Sequence, residues 1–158
     1  MKLDATDIKI LSILQNDARI TTKELAERLH LSTTPAYERV KKLEKEGYIE
    51  KYSAVLNAEK IERKLTIFLM VSLKSHSKDV VESFQKTVLS LPEVMEFYYI
   101  SGNYDSLLKV MVSDMDQFKV FLEEKLAGIE HITHFQSVFV ISGAQKGGYD
   151  LNMGLLKK

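Results

Sequence analysis

Two different hydrophobic patterns follow one another along the chain. Up to about residue 47, apolar residues recur at intervals of three and four, which is the spacing of an amphipathic helix. From Leu65 onward, continuous apolar and β-branched stretches alternate with helical segments, which indicates strands packed against helices. The pattern therefore predicts an α+β protein with a helical N-terminal part and a mixed C-terminal part.

Three short helices are predicted in the N-terminal part. The first has its apolar positions at Ile8, Leu11, Ile13 and Leu14. Asp4 or Thr6 can cap this helix, and a capping box formed by Thr21 and Glu24 opens the second. The second helix carries Leu25, Ala26 and Leu29. A tight turn at residues 30–32 then leads to the third helix.

The third helix has an apolar back. Its inward positions, at i, i+4 and i+7, are Ala36, Val40 and Leu43. Ser32 or Thr33 caps the helix, Pro35 fits its first turn, and Gly47 supplies the C-terminal stop. Residues 48–56 alternate roughly and predict a strand that leads away from the helix.

The front of the third helix carries hydroxyl groups and cations. Residues 28–45 hold five Lys or Arg against two Glu, which is a basic stripe on a chain with no formal net charge. A helix of this kind after a tight turn is typical of the recognition helix of a helix-turn-helix. The predicted DNA contacts are Ser32, Thr33, Thr34, Tyr37, Arg39, Lys41 and Lys42. The alternative is an ordinary solvated helix face and, for Arg39, an ion pair within the domain.

The C-terminal part predicts the order β-α-β-β-α-β of a ferredoxin-like fold. Strands are predicted at residues 65–73, 94–101, 106–112 and 132–142. One helix begins at Ser77 or Lys78 and ends near Pro92, and the other is capped by Asp114 and ends at Gly128. The predicted domains are residues 1–56 (winged helix-turn-helix), 57–64 (hinge), 65–142 (ferredoxin-like domain) and 143–158 (C-terminal tail).

The predicted strands are apolar at consecutive positions. Two helices cover only one face of a four-stranded sheet, and the other face of a solitary domain is normally polar. Here residues 67–71, 107–108, 110–112 and 138–141 are apolar throughout. An uncovered apolar face indicates a partner surface, and the simplest partner is a second copy of the chain. A homodimer also supplies the two recognition helices that a palindromic DNA site requires.

Composition narrows the class of protein further. The chain has 158 residues, 45% of them hydrophobic, and no cysteine, so disulfides and thiolate metal sites are excluded. The sequence has no apolar run of membrane-spanning length and no signal-peptide core at its start. We therefore expect a cytoplasmic protein without a membrane partner.

Three motifs resemble one family of regulators. The first is Leu3-Asp4-x-x-Asp7-x-x-Ile10-Leu11, the second is Leu31-Ser32-x-x-Pro35-x-x-x-Arg39-Val40-x-x-Leu43-x-x-x-Gly47-x-Ile49, and the third is Ser101-Gly102-Asn103-Tyr104-Asp105-x-Leu107-Leu108. On these residues the chain resembles the leucine-responsive/asparagine-responsive (Lrp/AsnC, feast/famine) bacterial transcription regulators. The resemblance covers nearly the whole chain, and the recognition helix is especially similar to the leucine-responsive branch.

The resemblance implies a winged helix-turn-helix followed by an amino-acid-sensing RAM-type domain. It implies dimers that assemble further, commonly into octamers, with small amino acids or related metabolites bound at dimer–dimer contacts. The residues that match the family's effector site are Tyr99, Gly102, Asn103, Tyr104, Asp105, Met115, Ser137, Val138 and Phe139. Position 103 is Asn where the family usually has Asp, which removes one negative charge from the turn and leaves the effector unidentified.

The turn at residues 102–105 has chemistry that suits an amino acid. Asp105 can pair with the ligand's ammonium group, and backbone N–H groups beside Gly102 can bind its carboxylate. An apolar wall of Met115, Val138 and Phe139 would select the side chain. The alternative is a plain hairpin turn, since Gly, Asn and Asp are common turn residues.

Other kinds of site find little support in the sequence. His131 and His134 have a metal-like spacing but no third ligand, and surface histidines are the simpler interpretation. No nucleophile motif, P-loop or dinucleotide fingerprint occurs, so we expect neither an enzyme nor a cofactor. Two rival functions stay open: an architectural DNA-wrapping protein without an effector, and, with less support, an enzyme built on the ferredoxin-like sheet.

Overall fold

The computed structural model describes residues 2–144 and 147–151, and part of the predicted tail lies outside these residues. The chain divides into two compact units. One consists of Met1–Val55 together with the C-terminal residues from Ala144, and the other is Leu56–Gly143. Among the described residues, no helix is long and apolar enough to cross a membrane.

The first unit contains three helices: α1 (Ala5–Asn16), α2 (Thr22–Leu29) and α3 (Thr33–Lys45). Both α1 and α2 begin with a capping box, Asp4 with Asp7 and Thr21 with Glu24. In each box the side chain of one residue accepts from the backbone N–H of the other, so otherwise unpaired N–H groups at the helix start are satisfied. His30 adopts a left-handed conformation (φ 54°) and makes the turn into α3.

The three helices pack around one small core. Ile10, Leu25, Leu29 and Leu43 are its buried centre. Val40 packs against this centre, and Ala36 on the same inward face of α3 is fully buried. The inward faces of α2 and α3 are therefore those that the sequence predicted.

The apolar face of α1 is only partly as predicted. At about 100° per residue, Ile10, Leu11, Ile13 and Leu14 share one side of the helix, whereas Ile8 lies on another. Ile10 was absent from the predicted face and is fully buried, and Ile8 is buried without belonging to the helical core. The prediction placed Ile8 on the same face as Leu11, Ile13 and Leu14 because of its three-residue spacing from Leu11, but its side chain points in another direction.

The end of α3 follows the expected chemistry, but the strand predicted after it does not form. Gly47 (φ 76°) donates its N–H to the Glu44 carbonyl, and Tyr48 donates to Leu43, which is a Schellman motif. Residues 49–57 are neither helix nor strand. Because a strand requires a hydrogen-bonded neighbour, and none lies beside this segment in the described chain, its alternating pattern was misleading. Val55 is almost completely exposed.

The second unit has the predicted β-α-β-β-α-β order. Its elements are β1 (Leu65–Leu73), α4 (Lys78–Leu89), β2 (Val94–Tyr99), β3 (Ser106–Val112), α5 (Met115–Val120) and β4 (Ile132–Phe139). A π-helical turn, Phe121–Leu126, continues α5. Strands β2 and β4 end two and three residues earlier than predicted. Before β1, a short 3-10 turn (Glu59–Ile61) lies within the segment predicted as a hinge.

The four strands form an antiparallel sheet in the order β2-β3-β1-β4. Burial alternates along β1 and β3, which are the central strands. Their helix-facing side chains, Ile67, Leu69, Val71, Leu108 and Val110 among them, join Phe84, Phe118 and Phe121 in the main core. Strands β2 and β4 are the edges, on opposite sides of the sheet.

The face of the sheet away from this core is mixed in character. Apolar side chains from the central strands, Phe68, Met70, Leu107 and Met111, lie on it half-buried. Lys109 interrupts them and donates to Glu96 (Nζ to Oε1, 2.8 Å), which also accepts from Tyr98. On β4 the same face carries Gln136 and His134, and Val138 lies on it beside Phe68. The apolar patch is thus centred on β1 and β3 and is narrower than the sequence predicted.

Candidate nucleic-acid interface and effector site

The exposed side of α3 carries six of the seven predicted DNA contacts. Ser32, Thr33, Thr34, Tyr37, Lys41 and Lys42 are all exposed, with Tyr37 at 50% of its surface. The opposite side of the helix is fixed by buried Ala36 and Leu43. The helix therefore presents hydroxyls, a phenol and cations together on a rigid support.

The two lysines on this face differ in their surroundings. Lys41 donates to Glu44 (Nζ to Oε2, 2.6 Å), and its ammonium lies 5.7 Å from the centre of the Tyr37 ring. Glu44 also accepts from the Tyr52 hydroxyl at 3.0 Å. The hydrogen bond from Lys41 lowers the pKa of Glu44, and Glu44 in turn raises the pKa of Lys41. Lys42 makes no ion pair with any described residue, so it is the more available cation.

Arg39 is engaged inside its own unit. One guanidinium nitrogen, Nη1, lies 2.6 Å from Asp4 Oδ2 and 2.6 Å from Asp7 Oδ1. The Asp7 side chain is only 8% exposed, so the ion pair joins α3 to the start of α1. Both carboxylates raise the pKa of Arg39, Asp4 more than Asp7. This geometry favours the intradomain ion pair over the predicted phosphate contact.

The turn between β2 and β3 is built around Asp105. Gly102 has φ 124°, which is accessible mainly to glycine, and the Ile100 N–H donates to the Asp105 carbonyl. Asp105 Oδ2 accepts the Leu73 N–H at 2.7 Å, and Oδ1 lies 2.7 Å from His76 Nε2. Both carboxylate oxygens therefore have partners in the same chain, although a carboxylate can accept further bonds.

Tyr104, in the turn between β2 and β3, contacts the edge strand β4. Its hydroxyl donates to Gln136 Oε1 at 2.7 Å, and its ring stacks on His134 with 6.0 Å between centroids. Both partners are on β4, so Tyr104 bridges the β2–β3 turn and this edge strand. Asn103 is exposed at the tip of the turn.

The predicted effector residues form two groups. The turn cluster consists of Tyr99, Gly102, Asn103, Tyr104 and Asp105, and the strand cluster consists of Met115, Ser137, Val138 and Phe139. Asp105 is hydrogen-bonded to Val71, whereas Phe139 pairs with Ile67. Four residues of extended strand separate these positions by about 13 Å. Asp105 and Phe139 of one chain therefore lie at separate places along the sheet.

The apolar wall predicted from three residues is divided between the two faces of the sheet. Phe139 pairs with core-facing Ile67 and packs edge-on against Phe118 of α5. Val138 pairs with Phe68 and so points to the opposite face. Met115 begins α5 and is 56% exposed. Met115 and Phe139 are thus on the helix side, and Val138 is not.

The two histidines with metal-like spacing have different surroundings. His131 has φ 73° and lies 3.9 Å from Glu130, while His134 stacks on Tyr104. No cluster of three or more His, Asp or Glu that could hold a metal occurs in the part of the chain that the structure describes.

Two family models match this chain, one over the helical N-terminal part and the other over most of the sheet-containing part. The model described as "Winged helix-turn-helix DNA-binding" matches residues 3–50, and the model described as "Lrp/AsnC ligand binding domain" matches residues 66–148. The second match alone covers more than half of the chain. The chain belongs to the Lrp/AsnC family. It is thus a transcription regulator with a DNA-binding helix-turn-helix and an amino-acid-binding type of domain.

Individual Lrp/AsnC proteins are similar to this chain along nearly its full length. The leucine-responsive regulatory protein of Escherichia coli K12 is 37% identical over 139 residues, which cover 88% of this chain and 85% of that protein. The structure of a Neisseria meningitidis transcriptional regulator in complex with L-Met is 36% identical, with a TM-score of 0.86 and 92% and 94% of the two chains covered. An AsnC family regulator from Agrobacterium tumefaciens is 36% identical, with a TM-score of 0.87 and 93% and 95% covered.

Several residues that shape these sites were not singled out from the sequence. They are Asp4 and Asp7 as partners of Arg39, Glu44 and Tyr52 as partners of Lys41, and His76 and Gln136 beside the turn. Only Glu44, at i+3 from Lys41, has a signal that sequence spacing could reveal. The others are brought together by tertiary packing.

Proposed function

We propose that α3 binds DNA through Ser32, Thr33, Thr34, Tyr37, Lys41 and Lys42, and that Arg39 positions the helix rather than contacting phosphate. The observation that carries this proposal is the single exposed face of hydroxyls and cations opposite a buried back. Hydroxyls and lysines of this kind contact phosphates and base edges.

The proposed DNA-binding species is a homodimer that assembles further, with an octamer as the expected end state. The half-exposed apolar side chains on the open face of β1 and β3 support self-association. The Lys109–Glu96 ion pair at the centre of this patch requires that a partner leave both groups hydrogen-bonded, because an unpaired buried charge is costly.

The proposed effector is a small amino acid, and its site is assembled from two chains. The turn cluster of one chain would supply the polar groups, and the strand cluster of another would supply Met115 and Phe139 as an apolar wall. The separation of about 13 Å along the strands between Asp105 and Phe139 of one chain supports this division. The L-Met bound to the Neisseria relative makes L-methionine the first probe to use.

The DNA-binding proposal is tested by selecting bound duplexes from a random library with the full-length protein. We expect enrichment of a two-fold symmetric motif, since a dimer presents two recognition helices. Recovery of sequences without a shared motif would contradict sequence-specific binding.

The effector proposal is tested by analytical ultracentrifugation with each of the twenty amino acids, with thermal unfolding as a second readout. A bound ligand must stabilise the folded state, and an effector must also shift the distribution of assemblies, because it can act only through a difference in affinity. A constant assembly and constant unfolding temperature with every amino acid would contradict the proposal.

A second function is favoured by one observation. Both oxygens of Asp105 already have partners in the chain, which suits a purely structural turn and hence an architectural DNA-binding protein without an effector. The ultracentrifugation experiment separates the two functions. No catalytic activity or cofactor is proposed. The proposed location is the cytoplasm, where a bacterial transcription regulator would meet the chromosome.

A further inference from the structure

The helix α1 has a second face that the helical core does not use. Ala5, Ile8, Ser12 and Gln15 follow each other at intervals of three and four, so they share one side of the helix. Ile8 on this face is only 5% exposed, although it does not belong to the core of the three helices. A buried apolar residue outside the core must be covered by another part of the chain.

A C-terminal segment lies beside this face of α1. Leu151, half-buried, lines a cleft of about 330 Å³ together with Ala5, Ile8 and Ser12. At the end of the same face, Gln15 Nε2 donates to the Tyr149 carbonyl at 2.9 Å, and the Tyr149 N–H donates to Gln15 Oε1 at 2.8 Å. One side-chain amide thus satisfies both backbone groups of Tyr149.

Gly148 permits this approach. It has φ 74°, and a Cβ atom added there would lie 2.6 Å from Gln15 Cδ. Any other residue would therefore be strained in its backbone and would displace the Gln15 side chain. Displacing Gln15 breaks both of its bonds to Tyr149, so Gly148 and Gln15 act as one anchor.

We propose that the outer face of α1 is the docking surface for the chain's own C-terminal segment, residues 147–151, and that this docking forms a second tether between the two units. The chain passes from the first unit to the second at Val55 and Leu56, and it returns at Gly143 and Ala144. Without the anchor at Gln15, only the first connection would restrain the DNA-binding unit. With it, the chain closes a loop through both units.

The second tether begins at the effector domain's last strand. The anchored Tyr149 is ten residues beyond Phe139, the end of β4 and a member of the strand cluster. The tether would therefore connect β4, a strand of the proposed effector site, to α1 along the chain. This regulatory role rests on the proposed effector function, whereas the docking itself does not.

Hydrogen exchange of the Tyr149 amide in the full-length protein tests the docking. We expect the amide to be protected, and we expect Gln15→Leu and Gly148→Ala each to accelerate its exchange by about tenfold, because each removes both bonds. Asn16→Ala is the matched control, since the Asn16 side-chain amide donates to the Ser12 carbonyl within α1. Unchanged exchange in both anchor variants would overturn the proposal.

Spin-label distances between the two units test the tether. The chain has no cysteine, so Lys23→Cys and Lys86→Cys place one label in each unit, and dilution with unlabelled chain isolates distances within one chain. We expect a broader distribution in Gln15→Leu and in Gly148→Ala than in the chain that carries only the two labels. Faster exchange at Tyr149 with an unchanged distribution would confirm docking and overturn the tether. Broadening without any amino-acid effect on assembly would retain the tether and contradict only the effector function.

Discussion

The recognition helix and the effector region differ in how much of each site one chain supplies. On α3 the candidate DNA contacts share one exposed face, and the buried Ala36 and Leu43 fix its direction. The candidate effector residues form two clusters, and Asp105 and Phe139 lie about 13 Å apart along the strands of one chain. The proposed DNA site on one helix is complete within one chain, whereas the proposed effector site, spread over a sheet, depends on topology and assembly.

The largest expected effect comes from a double variant that removes two lysines of the candidate DNA site and leaves the effector region unchanged. Lys41→Ala/Lys42→Ala should lower DNA affinity by about 100-fold at moderate salt and flatten the slope of log affinity against log salt by about two phosphate contacts. Lys42→Ala alone should account for more of this loss than Lys41→Ala, because Lys41 is already paired with Glu44. Fluorescence anisotropy over a salt series measures both quantities.

The matched control for the lysine variants is Lys78→Ala/Lys86→Ala on α4, which removes two exposed lysines of the other unit. It should leave affinity and salt slope close to those of the unsubstituted protein. Equal losses in the two double variants would mean that α3 is not the DNA-binding face.

The second largest effect distinguishes two roles of Arg39: positioning α3 within the unit, and contacting DNA. Arg39→Ala should lower the free energy of unfolding of the first unit by about 2 kcal/mol, since Asp7 would keep a nearly buried carboxylate without its cation. The partial exposure of Arg39 keeps this value below that of a fully buried pair. Urea denaturation followed by circular dichroism measures the loss, with exposed Arg28→Ala as control. A shallower salt slope of DNA binding in Arg39→Ala, without destabilisation, would instead assign Arg39 to phosphate.

The effector turn requires a more careful substitution than truncation. Asp105→Ala leaves the buried Leu73 N–H without an acceptor and should destabilise the second unit by about 1–2 kcal/mol. Asp105→Asn keeps an acceptor and removes the charge, so it should retain stability but weaken L-methionine binding by about tenfold or more. Thermal unfolding and calorimetric titration distinguish the two variants. Full L-methionine affinity in Asp105→Asn would place the ammonium partner elsewhere.

The smallest expected effect is the pH dependence of the first unit. The Asp7 backbone N–H, and after it Arg39, hold the pKa of Asp4 below its ordinary value of 3.8. A depressed folded-state pKa stabilises the fold above the unfolded value, and this contribution is lost as pH falls through the folded pKa. The first unit should therefore lose stability below about pH 4, and Asp4→Asn should reduce that dependence. An identical acid-unfolding curve for Asp4→Asn would show that Asp4 does not contribute.

The helices, and the order of helices and strands along the chain, could be predicted from sequence because their signals are local. Capping boxes at Asp4 and Thr21, the stop at Gly47 and the inward face of α3 all follow from spacings of a few residues. The strand expected at residues 48–56 failed because alternation cannot show whether a backbone has a neighbour to pair with.

In the candidate sites too, features with a local signal could be predicted, and features that depend on tertiary packing could not. Exposure of the α3 hydroxyls and lysines follows from helical periodicity, as does the burial opposite them. The partners of Arg39 and Asp105 could not be predicted, because Asp7 is 32 residues away in the chain and Leu73 is equally distant. Likewise, the division of the effector residues follows from the strand order, in which Tyr99 and Phe139 are on opposite edges of the sheet.

Mixing two defective chains tests whether the effector site is shared between chains while the DNA site is complete in one. Asp105→Asn damages only the turn cluster, and Met115→Glu damages only the strand cluster. Each variant alone should bind little L-methionine. Co-refolded at equal amounts, they should recover about a quarter of the original binding stoichiometry, because one quarter of randomly paired sites combine two intact clusters. No recovery in mixed assemblies, with both variants folded, would mean that the effector site lies within one chain and is not shared.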